Sequence, residues 1–268
     1  AGGIATTPSR GCVTFRRRTA TSPIAPMCIP RSNLAEWHLT YRCDLACIGC
    51  NRACFLPPAT PDMTLDDAQE FVRQAKELRW APDVALLGGE PTLHPDLFAF
   101  LEIARQLSGR VIVVSNGFSR HAQDCLRRAQ TLGAEVDCRS NKPHGSIRHT
   151  IIDVFAAPAD SGMPSRAPCS WHSSAGGCGI SVDAGGYTAC PIGGAIDGIL
   201  GLGVRTRRLA DLWEPEKVAS QTAALCRFCG KGLGLDREHP SQCRICFGVA
   251  MSATWQRAAE RLTRGPLP

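Results

Sequence analysis

The sequence lacks any long hydrophobic run. No stretch of 18 or more apolar residues occurs, and the longest strand-like apolar runs, at residues 84–87 and 111–114, are four residues long. A membrane-spanning helix needs about 20 consecutive apolar residues, so the sequence offers none. The first 30 residues contain no continuous apolar h-region, and a secretory signal is not expected. Acids are missing from residues 1–35, which hold Arg10, Arg16, Arg17, Arg18 and Arg31, or +5 of a total formal charge of +6. The other 233 residues therefore carry only +1. A near-neutral body gives no nucleic-acid footprint across the fold, so neither nucleic acid nor membrane is an expected partner. Residues 1–34, basic and rich in Pro, Ser and Thr, read as a disordered tail; an organellar transit peptide is the sharper alternative.

Cysteine, by contrast, is abundant: 15 of 268 residues. A disulfide framework is the less natural explanation. The count is odd, the chain is long enough to build a core, and no secretory signal is expected. A metal or cluster protein of a reducing compartment, the cytoplasm, fits better. With 44% hydrophobic and 20% charged residues, the chain has the composition of an ordinary globular protein.

From residue 35 strand-like and helix-like segments alternate. Strands are expected at 36–40, 84–87, 110–115, 134–138 and 150–155, and helices at 64–79, 95–107 and 119–132. The first helix is the clearest. Thr64 can cap it, Asp67 follows three residues on, and Leu65, Ala68, Phe71, Val72, Ala75 and Leu78 keep helical spacing. Apolar strands alternating with amphipathic helices argue for βαβ units and a parallel sheet. The fold class expected is α/β: a partial parallel (β/α) barrel of about five to six strands, with a small cysteine-rich C-terminal module. The composition shifts to Gly, Pro, Ser and Cys near residue 160, which divides the chain into 1–34, 35–160 and 161–268. In the last part a hairpin is expected over 180–183 and 187–189, a linking helix over 201–213, and a final helix around 252–262.

Cys43, Cys47 and Cys50 form C-x3-C-x2-C directly after the first strand. Zinc prefers four ligands. Three thiolates on a [4Fe–4S] cluster would leave one iron open to a small molecule. Cys54 reads as a buried or loop thiol rather than a fourth ligand. The next strand ends in Leu86-Leu87-Gly88-Gly89-Glu90-Pro91-Thr92, and the one after it in Ser115-Asn116-Gly117.

With these motifs in this order, the sequence resembles the radical S-adenosylmethionine (SAM) superfamily, which has C-x3-C-x2-C after strand 1 and G-G-E-P at the end of strand 2. The resemblance implies that Cys43, Cys47 and Cys50 ligate the SAM cluster. It implies that Gly88, Gly89 and Glu90 hold the SAM amino group, and that Ser115, Asn116 and, more weakly, Ser140 contact its ribose or carboxylate. It also implies reductive cleavage of SAM to a 5′-deoxyadenosyl radical, which takes a hydrogen from an unactivated C–H, and a flavodoxin- or ferredoxin-type electron donor. One departure stands out: Gly49 occupies the usual place of an aromatic against the adenine, leaving that role to Tyr41 or Phe55.

Cys169, Cys178, Cys190, Cys226, Cys229, Cys243 and Cys246 resemble the twitch and SPASM extensions of the same superfamily, which implies one or two auxiliary [4Fe–4S] clusters. Cys226-x2-Cys229-x13-Cys243-x2-Cys246 also has the form of two zinc knuckles, so zinc stays open. The expected substrate is a small molecule, sugar- or cyclitol-like, or a short peptide, with an auxiliary cluster assisting oxidation or substrate binding. An epimerase using Cys138 as hydrogen-atom donor is the alternative. Outside the class, the alternative is a non-catalytic zinc-binding module that contacts nucleic acid. His38 and His94 read as core histidines, Trp255 as packing, and His172 as a residue near the auxiliary cysteines.

Overall fold

The computed structural model describes residues 33–45, 50–107, 109–138, 179–229 and 252–264. The first strand, β1 (Leu34–Thr40), alternates: Ala35, Trp37 and Leu39 enter the main core, while Glu36 and His38 face the other side. Helix α1 (Leu65–Glu77) starts as expected. The Thr64 hydroxyl accepts the Asp67 N–H at 3.1 Å, and the Asp67 carboxylate accepts the Thr64 N–H at 2.9 Å. Its buried face, Ala68, Phe71, Val72 and Ala75, meets β1, with Phe71 edge-on to Trp37 at 5.4 Å between ring centroids.

Strand β2 (Asp83–Gly88) follows, then a 3-10 turn (Pro91–Leu93) and helix α2 (Leu97–Ala104). This helix is shorter at both ends than the expected 95–107, with residues 95–96 and 105–106 in turns. Strand β3 (Val111–Ser115), helix α3 (Arg120–Thr131, capped by the Ser119 hydroxyl) and strand β4 (Glu135–Cys138) complete the repeating units. The strand expected at 150–155 lies outside the described residues.

Next come β5 (Ile180–Asp183) and β6 (Gly186–Thr188), the expected hairpin. Among the described residues six strands form one open sheet in the order β4-β3-β2-β1-β5-β6, all parallel except for the antiparallel β5–β6 pair. The hairpin is therefore continuous with the main sheet: β5 lies parallel to β1, with Glu36 beside Ser181 and Trp37 beside Val182. An α/β architecture with an open, mostly parallel sheet is the expected fold class.

The linking helix is displaced from its expected position. Residues 201–213 are mostly irregular and end in a 3-10 turn (Leu209–Trp213); the helices flank them as α4 (Gly193–Leu200) and α5 (Pro215–Cys226). Gly201, left-handed at φ 67°, closes α4, and Pro215 opens α5. Leu209, Leu212 and Trp213 are buried as their spacing suggests, but in a tighter turn. The last helix, α6 (Ala253–Arg264), buries Trp255 and Ala258 in a second apolar cluster with Ile192, Ile196, Ile199, Leu225 and Ala53. Trp255 is packing, as expected, and its indole N–H donates to the Phe228 carbonyl at 3.0 Å.

Candidate active site

The C-terminal ends of β1, β2 and β3 meet at one edge of the sheet. After a register shift between His38 and Thr40, the end of β2 runs unusually close to the chain leaving β1. The Gly89 N–H donates to the Thr40 carbonyl at 2.8 Å and the Glu90 N–H to the Arg42 carbonyl at 2.9 Å. A Cβ at Gly88, whose φ is 150°, would lie 2.1 Å from the Thr40 oxygen, and one at Gly89 would lie 2.2 Å from the Arg42 oxygen. Only glycine permits this approach. Arg42 is steadied by Asp62, at 2.5 Å, and Asp62 also accepts the Thr40 hydroxyl at 2.6 Å. The two glycines thus set Glu90 beside the residue that precedes Cys43.

Glu90 is completely buried. Its carboxylate accepts the Thr92 N–H and hydroxyl at 3.1 and 2.7 Å, the Ser115 hydroxyl at 2.8 Å and the Asn116 N–H at 2.8 Å. The Ser115 oxygen accepts the Gly117 N–H at 3.0 Å, and the Asn116 side-chain oxygen accepts the Phe118 N–H at 2.7 Å. The Asn116 amide nitrogen is then left facing Asp44 Oδ1 at 2.7 Å and Cys43 Sγ at 3.8 Å.

Cys43 and Cys50 are free and half-exposed. Burial, more than any neighbouring charge, pushes the Cys43 thiol up to about 11. The Cys50 thiol is brought down to about 6, chiefly by a hydrogen bond from Cys54, against the opposing effect of burial, with the Cys54 and Arg52 N–H groups and the Arg52 charge adding to it; Cys54 is correspondingly raised. Arg52 is held by a half-buried ion pair to Glu36 on β1. Cys47 lies outside the described residues, as do Ser140, Cys169, His172, Cys178, Cys243 and Cys246. Among the described residues no three Cys, His, Asp or Glu side chains form a metal-binding group.

Tyr41 is not free to face an adenine. It is buried and donates to Asp183 Oδ2 at 2.9 Å, and Phe55 packs against the second apolar cluster. Burial, and then the Asp183 charge, raise the Tyr41 phenol well above its usual value. Asp183 also belongs to Arg205, which bonds Asp197 at 2.8 Å, the Thr60 hydroxyl at 3.0 Å and the Gly194 carbonyl at 2.6 Å. Helix α4 packs directly on this polar face: a Cβ at Gly194 would lie 2.4 Å from Asp183 Oδ2 and 3.0 Å from the Tyr41 oxygen. His38 is buried on the same face, with Nε2 4.0 Å from Glu36, and burial followed by the Arg52 and Arg205 charges depresses its pKa. His94 is a structural residue, its ring nitrogens engaged by the Met63 carbonyl and the Asp96 N–H.

Cys138 ends β4, exposed and paired with Ser115. It shares the side of Val136, which packs on the helix-covered core, so it does not project from the Asp137 side of the strand. Cys190 and Cys229 join the second apolar cluster, and Cys226 ends α5 one turn before Cys229. Asp44, Arg52, Asp62 and Arg205 stand in no recognisable sequence motif. Arg52 lies two residues from Cys50, a usable hint, but Arg205 meets Thr60 across 145 residues and leaves no local signal.

Over 119 residues the chain is 29% identical to an AdoMet-dependent heme synthase of Methanosarcina barkeri, a match covering 43% of this chain and 34% of that one. It is 33% identical over 81 residues to a pre-heme d1 synthase of Dinoroseobacter shibae, covering 30% of this chain and 20% of the other. The matches thus span about a third and a fifth of the length of these relatives. A crystal structure of BtrN in complex with AdoMet and 2-DOIA superposes with a TM-score of 0.50 at 15% identity, over 83% of this chain and 96% of that one, which shows a shared fold. Residues 37–137, which run from β1 to β4 and carry the cysteine loop, Gly88–Glu90 and Ser115–Asn116, match the Radical SAM superfamily.

Proposed function

We propose that the chain is a radical SAM enzyme that acts on an unactivated C–H bond of a small molecule, sugar- or cyclitol-like, or of a short peptide. The observation that carries this reading is the junction of Cys43, Gly88–Gly89 and Asn116 at one edge of the sheet, inside the segment that matches the superfamily. The superfamily implies a [4Fe–4S] cluster and SAM. The donor chemistry of the loop fits such a cluster, because Cys43 and Cys50 are half-exposed thiols and Cys50 is poised as a thiolate near neutral pH. When bound, the cluster and SAM supply a 5′-deoxyadenosyl radical.

The chain's own residues hold and orient. Cys43 and Cys50, with Cys47, would ligate the cluster, and Arg52 fixes the loop by its bond to Glu36. Gly88 and Gly89 bring backbone to the place of the SAM amino group, and Asn116 presents its amide beside Cys43. Cys190, Cys226 and Cys229, with Cys169, Cys178, Cys243 and Cys246, would hold an auxiliary iron–sulfur cluster of twitch or SPASM type, or zinc. Buried Cys229 and half-buried Cys190 lie in one apolar cluster, which supports a shared site. Electrons would come from a flavodoxin- or ferredoxin-type donor.

The relatives' names favour a second substrate class, a heme precursor. The Cys138 epimerase reading is weakened by the side of β4 that Cys138 occupies, and the zinc module that contacts nucleic acid by the superfamily match. The experiment is iron, sulfide and zinc per chain after anaerobic reconstitution, with SAM and dithionite added. About eight irons with 5′-deoxyadenosine formed means a SAM cluster and one auxiliary cluster, and about twelve means two. About four irons and one zinc keeps the radical chemistry and makes the later cysteines structural. Zinc alone without 5′-deoxyadenosine rejects the enzyme. Consumption of a cyclitol, a peptide or a heme precursor then sorts the substrates.

A further inference from the structure

We infer that Glu90 is a positioning residue, which holds the Ser115–Asn116 turn beside Cys43, and is not the acceptor for the SAM ammonium. This rests on the radical SAM reading of the site. A carboxylate offers about four acceptor positions. Four donors converge on Glu90: both Thr92 groups and the Ser115 hydroxyl crowd Oε1, while the Asn116 backbone N–H is the partner of Oε2, so what bars a further donor is burial rather than the count of bonds. None of the residue is exposed, so an incoming ammonium has no open face to meet. Ser115 is committed as well, since its hydroxyl proton goes to Glu90 while its oxygen accepts from Gly117.

The consequence falls on Asn116. Glu90 holds its backbone N–H, and the Phe118 N–H holds its side-chain oxygen. These two bonds aim the remaining amide nitrogen at Asp44 and at Cys43 Sγ. Glu90 therefore acts on the cluster loop through Asn116, from a neighbouring strand end. The glycines before it serve the same end by letting the Glu90 N–H reach the Arg42 carbonyl.

Glu90→Gln isolates this role. The glutamine oxygen can keep the Thr92 and Ser115 bonds, while its amide places a donor against the Asn116 N–H. In SAM-free protein the variant should exchange the amide hydrogens of Asn116 and Gly117 about tenfold faster than the wild type. In reconstituted protein, affinity for SAM and for an analogue with hydrogen in place of the ammonium should fall by the same factor. Unchanged exchange, with affinity lost for SAM alone, overturns the proposal. Should Glu90→Gln not fold, Ser115→Ala removes another donor of the same brace and must speed exchange at Asn116; unchanged exchange there also overturns it. Failure of the wild type to form 5′-deoxyadenosine would remove the radical SAM reading yet leave the exchange result standing, so the two failures are distinguishable.

Discussion

At the scale of single residues, the cysteine loop is asymmetric. Cys43 and Cys50 belong to one motif, yet their thiols are pushed in opposite directions. Burial raises Cys43 to about 11, whereas the Cys54 hydrogen bond, the loop N–H groups and Arg52 bring Cys50 to about 6. The thiolate is the reactive form, so in metal-free protein Cys50 should react with iodoacetamide at a rate already level at pH 7. Cys43 should still accelerate above pH 10. Cys54→Ala removes the largest cause and should move the Cys50 midpoint up toward the ordinary thiol value. Peptide mass spectrometry after timed alkylation reads both rates, and a Cys50 profile that climbs through pH 9 like a free thiol would contradict this assignment. The same asymmetry gives Cys54, outside the motif, a concrete part as partner of Cys50, a proposed cluster ligand.

At the scale of elements, one largely buried arginine, paired with two buried aspartates, joins three of them. Arg205 ties β5 through Asp183, α4 through Asp197 and the Gly194 carbonyl, and the segment after the cysteine loop through Thr60. Breaking a buried pair from one side leaves the other charges uncompensated, at about 3–5 kcal/mol. Arg205→Met should therefore lower unfolding stability by about that amount, measured by denaturant titration, and Thr60→Val by only about 1 kcal/mol, one hydrogen bond. Equal, small effects would mean that Arg205 is a rim charge. Elements whose determinants are local were legible in the sequence. The Thr64–Asp67 capping box, the presence of the first strand and the Gly-Gly-Glu-Pro strand end all read directly. Helix α4 was not, because Gly193, Gly194 and Gly198 resemble a turn. Those glycines serve contact instead: Gly194 must lie against Asp183 and Tyr41, and Gly198 against Thr60. The role of Glu90 was half legible. Its place at the strand end follows from the motif, whereas its partners Ser115 and Asn116 lie 25 and 26 residues away on another strand.

At the scale of the whole molecule, the change in composition near residue 160 and the continuity of the sheet point different ways. Composition separates a βαβ part from a cysteine-rich part, and we propose that 35–160 and 161–268 divide the chemistry between SAM and the later cysteines. Folding is a different matter. Strand β5 supplies the parallel neighbour of β1, and Ile180, Val182, Tyr187, Leu209, Leu212 and Trp213 complete the same core as Trp37 and Phe71. Trp213 stands edge-on to Trp80 at 5.1 Å, and Tyr187 meets Phe71 at 5.9 Å. Burying a large apolar side chain is worth about 1.5–3 kcal/mol; six of them together rival the ~5–15 kcal/mol that holds a typical domain folded. Truncation after residue 178 also exposes the backbone edge of β1 and leaves Tyr41 without Asp183. The truncated chain should therefore lack a cooperative thermal transition by circular dichroism, at a concentration where the full chain melts sharply, and should aggregate through the bare edge of β1. A sharp transition in the truncated chain would mean that the first part folds alone. Its absence would mean that the later segment forms one wall of the sheet that positions the first cysteine loop, so that any chemistry at Cys190, Cys226 and Cys229 shares a rigid frame with that at Cys43 and Cys50.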